Sequence, residues 1–380
     1  MSASPTDTGP LAALRAEIDE LDSELLSVLA RRLTVVTKLA HAKRAEGSRV
    51  RDPAREAQII ESRRQVAEQL GLLPDFVESL FRLIMWSSRE YQSSLRAEVP
   101  IHTAPKTVAV IGGKGGIGQR IAELFADLGH RLLIVDLDTE LTAVEAAASA
   151  DVTVVAVPIS ITEQIIREVG PHVPERGLLM DVTSIKGAPL ATMLAATRAS
   201  VLGTHPMFGP GVHSLQGQRM VICRGRGDEW ARWALANFGA RGLVLTEASA
   251  EEHDRAMALV QVLTHYQTQV LGLTLARLGP PLSAGLKFTS PAYLMELYVA
   301  ARHFSQDPAL YGPIEMENPL TEAVTCGFRE AAEVVQRLLQ TRDQAGFAAM
   351  FEEVRAFFGD FGEEATEKSK FLIDRLVERS

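Results

Sequence analysis

Residues Thr107 to Asp138 read TVAVIGGKGGIGQRIAELFADLGHRLLIVDLD, and the rest of the chain is best read outward from them. Val108 to Ile111 is a short apolar, β-branched run that fits a buried parallel strand. Gly113, Gly115 and Gly118 follow it as G-x-G-x-x-G. The first glycine permits the tight turn, the second lets backbone approach a pyrophosphate, and the third lets helix and strand pack closely. Ile117 opens the expected helix, whose free N–H groups and positive dipole end suit phosphate. Leu132 to Val135 is a second strand, and Asp136 ends it where a carboxylate can accept from ribose hydroxyls. The order strand, glycine turn, helix, strand, acid predicts a dinucleotide-binding (Rossmann) domain. Asp136 points to NAD, because a 2′-phosphate would meet a like charge and no arginine follows in Leu137 to Glu140.

The chain has 380 residues, enough for two or three domains, and is 46% hydrophobic, so it should fold rather than remain disordered. A net charge of −9 disfavours nucleic acid as the main partner. Cys223 and Cys326 are the only cysteines; they lie far apart without metal-ligand spacing, which fits no metal site and a reducing cytoplasm. The opening MSASPTDTGP lacks the basic and apolar regions of a signal peptide and reads as a disordered tail, residues 1–10. No apolar run is long enough to span a bilayer, so no membrane association is expected.

Three helices are expected across residues 11–98. The first carries an apolar seam of Leu11, Leu14, Ile18, Leu21, Leu25, Val28, Val35 and Leu39. Arg32 occupies a seam position and Lys43 lies on the same line, with Arg15 beside it at the other end. Glu46-Gly47-Ser48 should break this helix. Asp52-Pro53 is an N-cap and first-turn proline for a second helix bearing Arg55 and Glu56, and Pro74-Asp75 opens a third. The third helix's stripe is Val77, Leu80, Phe81 and Ile84, then the polar Ser88 and Gln92. Three such helices make a thin core, so a second copy should cover their seams. Cations in an apolar seam require partner carboxylates or a bound anion, unless they snorkel to water.

Val99 to Lys106 is a proline-containing linker. Within the domain at residues 107–250, further strands are expected at Val152–Val157, Leu178–Val182, Val201–Gly203 and Met220–Cys223, in a parallel sheet with right-handed crossovers. Two strand ends carry polar residues: D-V-T-S-I-K-G from Asp181, and G-T-H-P-M-F-G-P from Gly203. His205 lies just past a strand, at the sheet edge where a nicotinamide should sit. Residues 251–380 read as helical throughout, with Glu251 to Leu278 as one long helix and R-x-x-x-x-D-P from Arg302. A salt bridge to Glu296 or Asp307 is the simpler reading of Arg302.

Residues 11–94 resemble the all-helical chorismate mutase of bifunctional bacterial enzymes of tyrosine and phenylalanine synthesis. The resemblance rests on Leu14-Arg15, the A-R-R-L run around Arg32, Ala42-Lys43, V-R-D-P-x-R-E from Val50 to Glu56, and Ser88 with Gln92. It implies that Arg32, with Arg15 of a second copy, holds the substrate carboxylates, and that Lys43 and Gln92 donate to the ether oxygen. Glu56 and the Asp52 backbone would take the ring hydroxyl, with Arg55 and Ser88 completing the wall. The runs around Ser184 and His205 look like prephenate dehydrogenase, so the whole chain resembles the chorismate mutase–prephenate dehydrogenase (T-protein) family. That resemblance implies a homodimer through the all-α C-terminal domain, prephenate as second substrate, tyrosine inhibition, and NAD held by Gly113, Gly115, Ile117, Gly118 and Asp136. His205 would be the base and Ser184 would orient it or the substrate hydroxyl. Arg302, Lys186 and His265 would line the prephenate pocket.

Two rival readings stand beside this one. A different Rossmann dehydrogenase, such as a β-hydroxyacid dehydrogenase, would use residues 1–98 only as a dimerisation coil. A redox-sensing regulator would bind NAD without turnover. A chorismate assay on residues 1–98 separates the first from a mutase.

Overall fold

The computed structural model describes residues 10–45, 52–94, 104–212 and 214–377. Residues 1–9 of the expected tail, the Glu46–Ser48 break and residues 99–103 of the linker lie outside them, while Pro10, placed in the tail, begins the first helix.

Three helices come first: α1 (Pro10–Ala45), α2 (Pro53–Gln69) and α3 (Pro74–Ser94). Asp52 caps α2, its carboxylate accepting the Arg55 amide at 3.0 Å. Val36 and Ala40 of α1, Ile60 and Ala67 of α2, and Val77 and Met85 of α3 form the buried interior. The expected α1 seam is not part of it. Leu11, Leu14, Ile18, Leu21, Leu25 and Val28 are each more than half exposed, and Val35 and Leu39 lie open beside the buried Val36 and Ala40. Among the described residues only the last part of α1 packs into a buried interior, and it does so one position round from the seam. Covering one such side chain contributes about 1.5–3 kcal/mol, so the bare seam is strongly driven toward a matching apolar surface.

The sheet has seven strands: β1 (Thr107–Ile111), β2 (Arg131–Val135), β3 (Val152–Val155), β4 (Leu178–Asp181), β5 (Ser200–Pro206), β6 (Arg219–Arg226) and β7 (Val244–Glu247). Their spatial order is β2-β1-β3-β4-β5-β6-β7. Pairing is parallel from β2 to β5, but β6 runs antiparallel to β5, and β7 parallel to β6. The all-parallel expectation therefore fails at β6. A direct loop joins β5 to β6, with no crossover helix to return the chain to the same end. Strand β7 escapes the sequence reading because it is four residues long with only Leu245 partly buried and none of the others buried.

Helices α4 (Gly116–Asp127), α5 (Ala143–Ser149), α6 (Ile159–Val169), α7 (Gly187–Ala196) and α8 (Asp228–Ala240) cover the sheet. Phe125 of α4, stacked on Trp233 of α8 at 5.7 Å between ring centroids, belongs to the core on one face. Ala146, Ile166 and Met193 belong to the core on the other. Strand order changes direction between β1 and β3, which opens a crevice at their carboxyl ends, the place where open α/β sheets bind ligands.

The remainder is helical: α9 (Ala250–Met257), a π-helical turn (Ala258–Leu263), α10 (Thr264–Leu278), α11 (Leu282–Gly285), α12 (Pro291–Phe304), α13 (Pro308–Met316), α14 (Thr321–Thr341), α15 (Gln344–Phe358) and α16 (Phe361–Val377). The single long helix expected over 251–278 is thus interrupted by one widened turn, a feature often found at functional sites.

Candidate active sites

The glycine turn sits at the crevice. Gly112 takes the positive φ, at 80°, and a Cβ there would lie 2.5 Å from the Ala156 carbonyl oxygen. A Cβ on Gly118 would lie 2.0 Å from the Gly112 oxygen, and one on Gly113 would lie 2.8 Å from that of Val110. Gly115 would meet only the Gly112 oxygen at 3.2 Å, so packing alone scarcely demands glycine there; close approach of a phosphate does. Ile117 is half-buried in the first turn of α4. Asp136 is fixed just past β2, its carboxylate accepting the Lys114 and Leu137 amides at 2.9 Å each. The Lys114 side chain reaches Asp138 at 2.7 Å. This cradle fits NAD: backbone for pyrophosphate, and a carboxylate at the ribose end.

His205 is the penultimate residue of β5 and is 2% exposed. Its Nδ1 lies 2.8 Å from His253 Nε2, and His253 Nδ1 lies 2.8 Å from Asp254 Oδ1. Asp254 also accepts the amides of Lys186 and Gly187, both at 2.8 Å, and its carbonyl accepts from Asn318 at 2.9 Å. Gln261, on the π-helical turn, places its amide nitrogen 3.4 Å from His205 Nε2. Burial first, then His253 and Lys186, hold the His205 imidazole well below its ordinary value, so it is neutral.

Lys186 corrects an expectation. It is fully buried, paired with Asp181, and donates to the Thr204 carbonyl at 2.8 Å. Its ammonium supports the strand that carries His205 and cannot reach a substrate. Ser184 is half-buried and makes no hydrogen bond among the described residues. The side chain that touches His205 Nδ1 is His253, not Ser184. His253, Asp254 and Gln261 were missed by sequence reasoning; the H-D pair and the glutamine lie in a helix that shows only amphipathic spacing.

The Arg302 guanidinium on α12 is exposed and pairs with neither Glu296 nor Asp307 among the described residues; Asp307 instead caps α13. His265 lies 3.6 Å from Glu315, with Tyr311 and His303 rings at 4.8 and 5.4 Å.

In the helical part, Arg32 of α1 donates to the Ser88 hydroxyl on α3, and Ser88 donates to the Ile84 carbonyl at 2.6 Å. Burial lowers the Arg32 guanidinium from its ordinary value. One turn beyond Ser88, the buried Gln92 donates to the Ser88 carbonyl at 3.2 Å, and its Oε1 has no partner. Glu56 of α2 accepts from Arg89 of α3 at 2.5 Å, a cation absent from the sequence reading. Lys43 is half-buried, whereas Arg15 and Arg55 are exposed, Arg55 reaching Gln58 at 3.3 Å. The Asp52 carbonyl accepts the Glu56 amide at 3.0 Å, the first bond of α2.

A nucleotide cradle and a buried imidazole on one sheet edge define a nicotinamide-dependent dehydrogenase, here joined to a helical module with a half-buried cation pocket. Family models agree on both parts. Residues 14–93 match chorismate mutase type II, 114–230 the nucleotide-binding domain of prephenate dehydrogenase, and 249–353 its dimerisation domain. The T-protein of Enterobacter agglomerans is 36% identical over 96% of this chain and 97% of its own, and that of Haemophilus influenzae is 33% identical over the same shares. The chain belongs to the T-protein family, bifunctional chorismate mutase–prephenate dehydrogenases. Prephenate dehydrogenase from A. aeolicus, solved with hydroxyphenyl propionate and NAD+, shares the fold: TM-score 0.57 at 17% identity, over 67% of this chain and 98% of that one.

Proposed function

We propose that one chain type rearranges chorismate to prephenate in its helical module and converts prephenate to 4-hydroxyphenylpyruvate in the dehydrogenase part, with the residues assigned as follows. The rearrangement is unimolecular and needs no nucleophile, so the protein acts by holding the folded substrate and stabilising charge at the breaking C–O bond. Arg32 takes a carboxylate, and Lys43 and Gln92 donate to the ether oxygen; Gln92 is buried, its Nε2 on the Ser88 carbonyl and its Oε1 without a partner, so the side chain has bonding capacity left for a ligand. Glu56, held by Arg89, and the Asp52 backbone meet the ring hydroxyl, while Arg55 and Ser88 complete the wall. Arg15 lies on the same helix as Arg32, roughly 25 Å away at 1.5 Å per residue, so it serves the site of a second copy. The active form is therefore a homodimer.

In the dehydrogenase, bound NAD supplies the acceptor for the C4 hydrogen as hydride. Gly113, Gly115, Ile117, Gly118 and Asp136 hold it. His205 draws the C4 hydroxyl proton, Ser184 orients that hydroxyl, and Arg302 anchors a carboxylate with His265 shaping the wall. The single observation that carries this reading is His205: a buried, neutral imidazole at a strand end on the cofactor edge of the sheet. Tyrosine inhibition belongs to the same reading. So does a cytoplasmic location, supported by the two free cysteines. Among the described residues no helix is long and apolar enough to cross a membrane.

The test is NAD reduction by the purified chain given chorismate alone. Reduced cofactor and 4-hydroxyphenylpyruvate are expected in equal amounts. Reduction with prephenate but not with chorismate would remove the mutase assignment.

A further inference from the structure

The dehydrogenase base is buried deeply enough to be a poor one. Taking a proton onto His205 alone would create a cation in a dry site where the buried Lys186 ammonium already holds the carbonyl of the preceding residue, Thr204. The groups behind it change that balance. Asp254 accepts three N–H donors: the amides of Lys186 and Gly187, and His253 Nδ1. A carboxylate so placed fixes His253 as the tautomer protonated on Nδ1, which leaves His253 Nε2 as a lone pair. The 2.8 Å contact then requires His205 to donate from Nδ1, and leaves His205 Nε2 as an acceptor beside the Gln261 amide.

We propose that His253 and Asp254 are positioning residues that complete the base: they set the His205 tautomer and hold the abstracted charge one ring away from the substrate. This rests on the dehydrogenase reading above. The substrate's C4 hydroxyl proton moves to His205 Nε2 while the Nδ1 proton of His205 moves to His253 Nε2. His253 becomes an imidazolium against Asp254, and the C4 oxygen becomes a carbonyl as the C4 hydrogen leaves with its electron pair to NAD. The C1–carboxylate bond then breaks. Its electron pair closes the aromatic ring and arrives on the C4 oxygen, carbon dioxide departs, and the two protons return along the same path to give the phenol. No proton is gained or lost overall. The logic parallels the aspartate behind a triad histidine, with a second imidazole inserted between them.

Charged and titratable groups face the pair from every side. Asp181 ends β4 and Lys186 immediately precedes α7, Cys223 lies on β6 opposite Gly203, and Glu252 beside His253 on α9. Burial pushes the Cys223 thiol up to about 11, so it stays neutral. Asp181 is neutralised by Lys186, and Glu252 is committed to capping α9 through Ser249. Asp254 is the carboxylate that touches the histidine pair.

The experiment uses the full chain with His253→Gln, with His205→Asn as control and the mutase rate as the check on folding. The glutamine oxygen still accepts from His205 Nδ1, so ring and tautomer are kept, but it cannot take the proton. Turnover with prephenate should fall about tenfold to 100-fold, less than the loss of the base itself. The Michaelis constant for prephenate should hold within about threefold. The acid limb of the pH profile should shift, because a proton that reaches His205 can no longer pass on. Asp254→Asn should lower turnover and move the limb in the same direction. Unchanged turnover and an unmoved limb in His253→Gln, with His205→Asn inactive, would overturn the relay and leave His205 as a lone base. An active His205→Asn would instead overturn the dehydrogenase reading beneath it.

Discussion

The two sites are built on opposite plans. The helical site leaves its main apolar seam bare, keeps Arg32 and Lys43 half-buried, and places Arg15 and Arg32 too far apart to meet one small molecule. The proposed dehydrogenase base is closed within one chain: His205, His253 and Asp254 are all buried and joined end to end. A reaction that needs only shape and fixed charge can be catalysed across a seam between copies. A proton transfer needs a fixed tautomer and a partner charge, and tolerates little slack.

The largest effect should come from His205→Asn: prephenate oxidation falling about 100-fold to 10,000-fold while the mutase rate and NAD affinity stay unchanged. Steady-state rates of both activities on one preparation decide it. The mirror experiment is Arg32→Ala, with mutase turnover down about 100-fold or more and prephenate oxidation intact, because a charge-assisted carboxylate contact is lost. If either variant lowers both rates equally, the two sites are not independent.

Leu21→Asp tests whether the seam is shared between copies. A carboxylate on that surface would be buried without a partner in the assembled form. Mutase activity should fall about tenfold or more, and more steeply at low protein concentration, with the dehydrogenase little affected. Arg302→Gln should raise the Michaelis constant for prephenate about tenfold and leave turnover nearly alone; an unchanged constant would make Arg302 structural. The smallest effect separates the sites by pH. Arg32 remains cationic and Gln92 donates without titrating, so mutase activity should vary by less than about threefold between pH 6 and 8. Prephenate oxidation should be full where the His205 lone pair is free and decline on acidification. The sign follows from the depressed imidazole, which is the neutral, active form at pH 7 and is lost only as protons are added.

Local pattern was enough for much of the molecule. The glycine run, the strand before it and Asp136 announced the nucleotide cradle, because close backbone approach leaves a direct mark on residue type. Three N-terminal helices and the helical C-terminal half followed from apolar spacing and from proline-containing caps such as Asp52-Pro53. His205, Ser88 and Gln92 could be singled out because each is polar where its element should be apolar or is ending. What stayed hidden depends on separation along the chain. His253 and Gln261 are 48 and 56 residues from His205, and no periodicity relates them. Lys186 looked like a hand for substrate; only packing shows it buried against Asp181. The reversal of β6 and the positive φ at Gly112, one residue before the motif, were settled by how the strands meet. Sequence determined which chemistry this chain carries, since backbone conformation and side-chain type are local properties. Tertiary structure decided which groups touch and which nitrogen of His205 is free, because hydrogen-bond partners across a core are chosen by the fold as a whole.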